Sequence, residues 1–334
     1  MDRLVDMAAA EIRALIVTAH GGPEVLQVQA RPAPEPGPGQ VLIEVAAAGV
    51  NFIEIYQREG VYPRPTPFGL GVECAGRVIA VGSGVSELAV GDLIATAHAE
   101  GGAIASAALV PADRAVLVPA DVAAELAAAA MLQGMTAHYL VTSTYAVSAG
   151  AEVLIHAAAG GVGQLLVQLA KARGAHVVAA VGTAEKIEIA RAAGADEVIR
   201  YDQVDDLAAA VREASGGGVH VAYDGVGKAT FDASLASLRR RGMMALFGAA
   251  SGAVPPLDPQ RLNSGGSLFL TRPTLNDYTA DRAELTWRAG EVLAAIADGS
   301  LRVAIGGRYP LERAADAYTD LASRRTSGKL LIVP

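Results

Sequence analysis

The spacing of apolar and polar positions changes character along the chain. In the first third, apolar runs are short and stop at glycine or proline: residues 13–18, 41–48, 76–82 and 93–97, with the Pro/Gly-rich turn 31–40 and the pair Gly91-Asp92 between them. Short strands punctuated in this way predict a compact, barrel-like β domain. Residues 121–132 are alanine-rich and predict a helix. From Glu152 onward apolar runs alternate with amphipathic stretches: strands at 153–157, 176–181, 197–201, 220–224, 242–247 and 267–271, and helices at 163–173, 184–193 and 230–238. That alternation predicts a parallel sheet covered on both faces. The last stretch holds helices at 282–297 and near 312–323 and an apolar run at 330–333. It does not extend the βα alternation and is read as returning to the first domain.

A length of 334 residues corresponds to about two domains. Hydrophobic residues make up 52% and charged residues 19%, enough for a sizeable core. Aromatics are only 4%, so that core is built from Ala, Val, Leu and Ile. The net charge of −8 speaks against nucleic acid or an anionic membrane surface as partner. Cys74 is the one cysteine, which excludes an internal disulfide and a multi-cysteine zinc site. No apolar run approaches the roughly 20 residues of a spanning helix. Met1 to Ala10 carries Asp2 and Asp6 and lacks the apolar stretch of a signal peptide. The expectation is a cytoplasmic protein acting on a small molecule.

Residues 156–163 read HAAAGGVG, between a predicted strand and a predicted helix. Ala158, Gly160 and Gly163 fall on the three positions of a G-x-G-x-x-G loop. Gly160 lets the backbone approach a pyrophosphate, Gly163 lets the helix pack on the strand, and the anion sits on free N–H groups. A dinucleotide is the expected ligand. Acidic residues that hold a ribose 2′-hydroxyl stand at the end of the second strand in NAD-binding folds. Here that strand ends in Gly182-Thr183-Ala184-Glu185-Lys186. Lys186 lies in a first helical turn, where a cation is disfavoured by the helix dipole. The chain has 4 lysines against 23 arginines, so a lysine there is not mere composition. A 2′-phosphate explains it and favours NADPH; the alternatives are a solvated Lys186, or Glu185 as a displaced acid that would favour NADH.

Asn51-Phe52-Ile53, the stretch Glu59-Gly60-Val61-Tyr62-Pro63, the glycine loop and Thr271-Arg272-Pro273 occur in order. Over residues 12–334 the sequence resembles the zinc-independent NADPH:quinone oxidoreductases, the zeta-crystallin-like group of the medium-chain dehydrogenase/reductase superfamily. The resemblance implies an α/β fold, a GroES-like β-barrel domain (11–133 and 276–334) plus a Rossmann doubly wound parallel sheet (134–275), with a cleft between them. Zinc-dependent members carry a cysteine where this chain has Asn51 and a Gly-His-Glu where it reads Gly71-Val72-Glu73, so no metal is expected.

The resemblance also implies cofactor contacts. Asn51, Phe52 and Tyr56 would serve the nicotinamide half, with Tyr139 beside the cofactor, and Gly161 and Val162 the pyrophosphate. Gly182, Thr183, Lys186 and Tyr201 would serve the adenosine 2′-phosphate. Gly225, Phe247, Gly248, Pro273, Leu275 and Arg324 complete the set. Asn51, Tyr56 and Tyr62 are the candidate catalytic donors to the acceptor oxygen. Two departures from relatives concern substrate range: Gln133 stands where they often carry Lys, and Ala103 to Ser106 lacks their Tyr. The expected activity is quinone reduction. The alternatives are reduction of an enone, or NADPH binding without turnover. The apolar stretch 266–273, read as the last strand at one edge of the parallel sheet, predicts a homodimer.

Overall fold

The computed structural model describes residues 11–334. Strands β1 (Glu11–Val17), β2 (Leu26–Pro32) and β3 (Gln40–Val50) lead into helix α1 (Phe52–Arg58). Strands β4 (Phe68–Gly69), β5 (Cys74–Val81), β6 (Leu93–Thr96), β7 (Ala107–Pro111) and β8 (Val116–Leu117) follow. After α2 (Ala124–Tyr139) the chain alternates through β9 (Glu152–His156), α3 (Gly161–Ala172), β10 (His176–Val181), α4 (Glu185–Ala193) and β11 (Glu197–Arg200). It continues with α5 (Leu207–Ala214), β12 (Val219–Asp224), α6 (Phe231–Ser237), β13 (Leu238–Leu246), α7 (Gln260–Ser264), β14 (Phe269–Thr271) and α8 (Leu275–Tyr278). Last come α9 (Arg282–Ala297), β15 (Ile305–Pro310), α10 (Ala314–Ala322) and β16 (Lys329–Val333). The chain forms two compact units, one running to Leu132 and resuming over Arg282–Pro334, the other Gln133–Asp281.

In the first unit β3 is the hub. It pairs antiparallel with β5 and with β7 along its first half, and its end, Ala48–Val50, pairs with β16. The C-terminal strand thereby completes a sheet begun by the N-terminal third, in the order β15-β16-β3-β5-β6-β8. Its core joins Val41, Ile43 and Val45 of β3 to Val78, Ile94, Val110, Leu330 and Ile332. Each such side chain stabilises the unit by about 1.5–3 kcal/mol when fully buried. A three-stranded sheet, β2-β1-β4, accompanies it. Strand β2 adds to the expected elements: Leu26-Gln27-Val28-Gln29-Ala30 alternates with period two and pairs with β1 over its whole length. The expected turn at 31–40 therefore begins two residues later.

In the second unit six parallel strands lie in the order β11-β10-β9-β12-β13-β14. The inner strands are apolar on both faces, as a sheet covered on both sides requires. Strand order reverses between β9 and β12, so the loops leaving their C-terminal ends part and leave a crevice where ligands bind in such sheets. The helix expected at 121–132 starts at Ala124 and runs through Gly134 to Tyr139. One glycine costs a helix about 1 kcal/mol, less than the burial of Met131, Met135 and Tyr139 returns.

Candidate active site

The glycine loop sits at the reversal point. Gly160 precedes α3 in extended backbone (φ −76°, ψ 172°), and its carbonyl accepts the Gln164 N–H at 3.0 Å. Gly161, Val162 and Gly163 form the first turn, where N–H groups have no intrahelical acceptor. A Cβ on Gly163 would stand 2.3 Å from the Ala157 carbonyl oxygen and 2.7 Å from the Ala158 Cα, so this glycine sets the helix-to-loop distance. A Cβ on Gly160 would meet only the Ala157 oxygen, at 3.1 Å. Ala157 turns the chain out of β9 with φ 49°, a left-handed conformation uncommon outside glycine. The Gln133 side chain stands over Gly161, its Oε1 1.9 Å from where a Cβ would be.

Gly182 and Thr183 follow β10, and Lys186 lies in the first turn of α4. Tyr201 follows β11, 44% exposed, and its hydroxyl covers Gly182, 2.4 Å from where a Cβ would be. No carboxylate ends β10. The Glu185 carboxyl is held below its usual range by its own N–H, the Thr183 hydroxyl and the nearby Arg200 and Lys186 cations.

Asp224, fully buried at the end of β12, organises the next two strand ends. Its Oδ1 accepts the N–H groups of Val226 (2.8 Å) and Gly227 (2.9 Å). Its Oδ2 accepts the Thr230 and Ser234 hydroxyls, both at 2.7 Å. Because the Ser234 hydroxyl donates to Asp224, its oxygen accepts from His156 Nε2 at 2.8 Å. Burial pushes the His156 pKa down and keeps the ring neutral, leaving Nδ1 without a hydrogen bond. The Asp224 carbonyl takes the Phe247 N–H at 2.9 Å, which seats the Phe247 ring and Gly248 against Gly225. Pro273 and Leu275 follow β14. Tyr139, buried, stacks on Tyr278 with centroids 4.2 Å apart and planes 5° off parallel. The glycine-loop, Gly182–Tyr201, Gly225–Phe247 and Pro273 positions thus gather at the C-terminal ends of the six strands.

The other expected residues lie in the first unit. Asn51 (3% exposed) is the N-cap of α1, and Glu54 reaches back to accept its N–H at 2.8 Å, one arm of a capping box. Phe52 and Tyr56 follow one turn apart, with ring centroids 6.4 Å apart. Tyr62 meets Tyr56 edge-on at 5.5 Å and returns its N–H to the Tyr56 carbonyl at 3.1 Å. Arg324 lies past the end of α10, with φ 58°.

Beneath Asn51 is a cluster of buried charges that sequence reasoning did not assemble. Lys329 Nζ donates to Asn51 Oδ1 at 2.7 Å and to the Glu73 carboxylate. Asn51 Nδ2 donates to Glu73 Oε2 at 2.9 Å and to the Gly49 carbonyl at 3.3 Å. Both amide hydrogens of Asn51 are thus committed within this unit. The Tyr318 hydroxyl donates to Glu54 Oε2 at 2.7 Å, and burial raises the Glu54 pKa to about 7. The donor set does not fit a zinc ion. Glu73 is already neutralised by the Lys329 ammonium, and burial pushes the Cys74 thiol up to about 12. Among the described residues no group of three or more His, Cys, Asp or Glu is placed to hold a metal.

Two families match the chain one after the other. Residues 37–149 match the family described as an alcohol dehydrogenase GroES-like domain, and residues 161–282 the family described as a zinc-binding dehydrogenase. Quinone oxidoreductase 1 of Escherichia coli is 44% identical over 94% of this chain and 97% of its own length. A mycobacterial protein solved in complex with NADPH superposes with a TM-score of 0.94 at 50% identity, over 97% of this chain and 100% of the other. A 2-haloacrylate reductase from Burkholderia is 39% identical over 97% of this chain and 99% of its own length.

Proposed function

The chain belongs to the quinone oxidoreductase family, and from that premise we propose that it is an NADPH-dependent quinone reductase that works without a metal. The observation that carries the cofactor choice is the end of β10, where Gly182 stands in place of the ribose-binding acid under the Tyr201 hydroxyl and Lys186 lies in the first turn of the helix that follows. A 2′-phosphate fits that arrangement. The first-turn N–H groups of α3 are proposed to hold the pyrophosphate. Tyr139, Gly225, Phe247, Gly248, Pro273, Leu275 and Arg324 are proposed to line the remainder. When bound, NADPH supplies a hydride at C4 of its nicotinamide. The chain's task is to hold the acceptor and stabilise its developing oxyanion. Tyr56 and Tyr62 are the proposed donors, since the Asn51 hydrogens are engaged elsewhere; Asn51 and Phe52 anchor the helix that carries Tyr56. A reduced quinone takes its remaining proton from water.

A second substrate class is supported by the haloacrylate-reducing relative, because an acrylate, like a quinone, is a conjugated C=C–C=O acceptor. One kinetic series tests both readings, using a quinone and an enone of similar size with NADPH and NADH. Quinone turnover with NADPH is expected, and its absence overturns the proposal. Lys186→Ala loses a charged hydrogen bond of about 1.5–3 kcal/mol, so the KM for NADPH should rise about tenfold or more with NADH little changed. Equal effects on both cofactors remove Lys186 from the phosphate site. Tyr56→Phe and Tyr62→Phe should lower kcat more with the enone, which accepts charge less readily. If neither variant lowers kcat with either acceptor, the phenols are structural.

Among the described residues strand β14 pairs on one side only, with β13, and leaves Phe269 57% exposed. An unpaired apolar edge invites a second copy across a two-fold axis. A homodimer of about twice the 34.0 kDa chain mass is therefore proposed, and a 34.0 kDa species in light scattering would refute it. Among the described residues no helix is long and apolar enough to cross a membrane. The cytoplasm, where NADPH is regenerated and a lone buried thiol stays reduced, is the proposed site of action.

A further inference from the structure

We propose that Lys329 is a positioning residue for the reduction: its buried ammonium fixes the amide of Asn51 and, through it, the first turn of the helix that carries Tyr56. This rests on the reading that α1 and the loop after it serve the acceptor.

Lys329 opens β16, is 1% exposed and is followed by buried Leu330, Leu331 and Ile332. An apolar residue would suit that strand position, and buried ion pairs are often no more stabilising than apolar replacements. What an apolar residue could not do is orient Asn51. The amide stands between opposite charges, with Oδ1 on the Lys329 ammonium at 2.7 Å and Nδ2 on the Glu73 carboxylate at 2.9 Å. Flipped, it would set NH₂ against NH₃⁺ and carbonyl against carboxylate, so the pair permits one orientation. The backbone makes room for this pair. A Cβ on Gly49 would stand 2.1 Å from Glu73 Oε2 and 2.6 Å from Lys329 Cε. Glu73 is also fixed from its other oxygen, which accepts the Leu132 N–H at 2.5 Å.

From Asn51 the constraint passes into α1. Its N–H is held by Glu54 Oε2, and Glu54 is held by the Tyr318 hydroxyl of α10. Strands β3 and β16 and helices α1 and α10 thus converge on the turn that precedes Tyr56. The cluster belongs to the first unit and the glycine loop to the second, so its expected effect falls on kcat and not on the NADPH affinity that the loop supplies.

The test compares the native chain with Lys329→Met/Glu73→Gln, which removes both charges and strands neither. Measurements are kcat with a quinone, Kd for NADPH by fluorescence, thermal stability, and the NMR signals of the Asn51 side-chain amide. In a folded double variant, kcat should fall about tenfold or more, as expected of a displaced reacting group, with the NADPH Kd within about twofold. The single pair of Asn51 amide signals should split or broaden. Native kcat with an unchanged amide signal overturns the proposal, as does a matching loss of NADPH affinity. Should the double variant fail to fold, the native chain carries the test: its Asn51 side-chain amide should give one sharp pair of signals, and split or exchange-broadened signals overturn the proposal. Failure of the native chain to reduce any quinone is a separate result. It removes the proposed function, while the amide signals still report whether Lys329 orients Asn51.

Discussion

Replacing Gly163 with alanine is expected to abolish useful NADPH binding and destabilise the chain, whereas Gly160→Ala should damage binding alone. The two glycines lie three residues apart in one loop and answer to different constraints. At Gly163 the new methyl would stand 2.3 Å from a backbone oxygen and 2.7 Å from a backbone Cα. No side chain can rotate to relieve that contact, so α3 must move off the loop. Overpacking of this kind costs about 3 kcal/mol, and displacing the N–H groups proposed to hold the pyrophosphate by about 1 Å can cost on the order of 10²-fold. At Gly160 the methyl meets one oxygen at 3.1 Å, and the backbone is extended with φ −76°, open to any residue. The protein itself does not need that glycine; a ligand lying on the backbone does. Fluorescence titration with NADPH and thermal melts of both variants separate the cases. A Gly160→Ala variant with native affinity would show that no pyrophosphate approaches there.

The loop was legible in the sequence because its constraint is local: a strand, a tight turn and a helix within a dozen residues. The parallel sheet was legible for a similar reason, since strands such as Val177–Val181 are buried on both faces and read as unbroken apolar runs. What escaped were the groups whose partners lie far along the chain. Lys329 and Asn51 are separated by 278 positions, and no spacing rule joins them. Asp224 escaped for another reason: its bonds to the Val226 and Gly227 N–H groups are those of any turn-forming acid, and only the Thr230 and Ser234 hydroxyls, brought up by the start of α6, set it apart. Asn51 shows the same limit in its chemistry. As a candidate donor it has hydrogens to offer in sequence, and in the fold both point into Glu73 and Gly49.

The other large effect expected is on pH-dependent stability, through Glu54. Its carboxyl is fully buried, and burial outweighs the hydrogen bonds from Tyr318 and the Asn51 N–H and the attraction of Lys329, raising its pKa from 4.5 to about 7. The charged and titratable groups around it are Tyr318 from α10, Lys329 from β16, Glu73 ahead of β5, and Arg58 on its own helix. Because the folded pKa is raised, the folded chain holds the proton more tightly than the unfolded chain. The associated stability is fully present below about pH 4.5 and is lost as pH rises through about 7. Glu54→Gln keeps an oxygen to accept from Asn51 and Tyr318 but does not titrate. Its stability relative to the native chain should therefore climb by about 3 kcal/mol between about pH 4 and about pH 8. Denaturant melts of both chains across that range give the difference directly. Parallel curves would mean that Glu54 is ionised in the fold at its ordinary pKa, and that the buried cluster carries two carboxylates against the single Lys329 ammonium near neutrality.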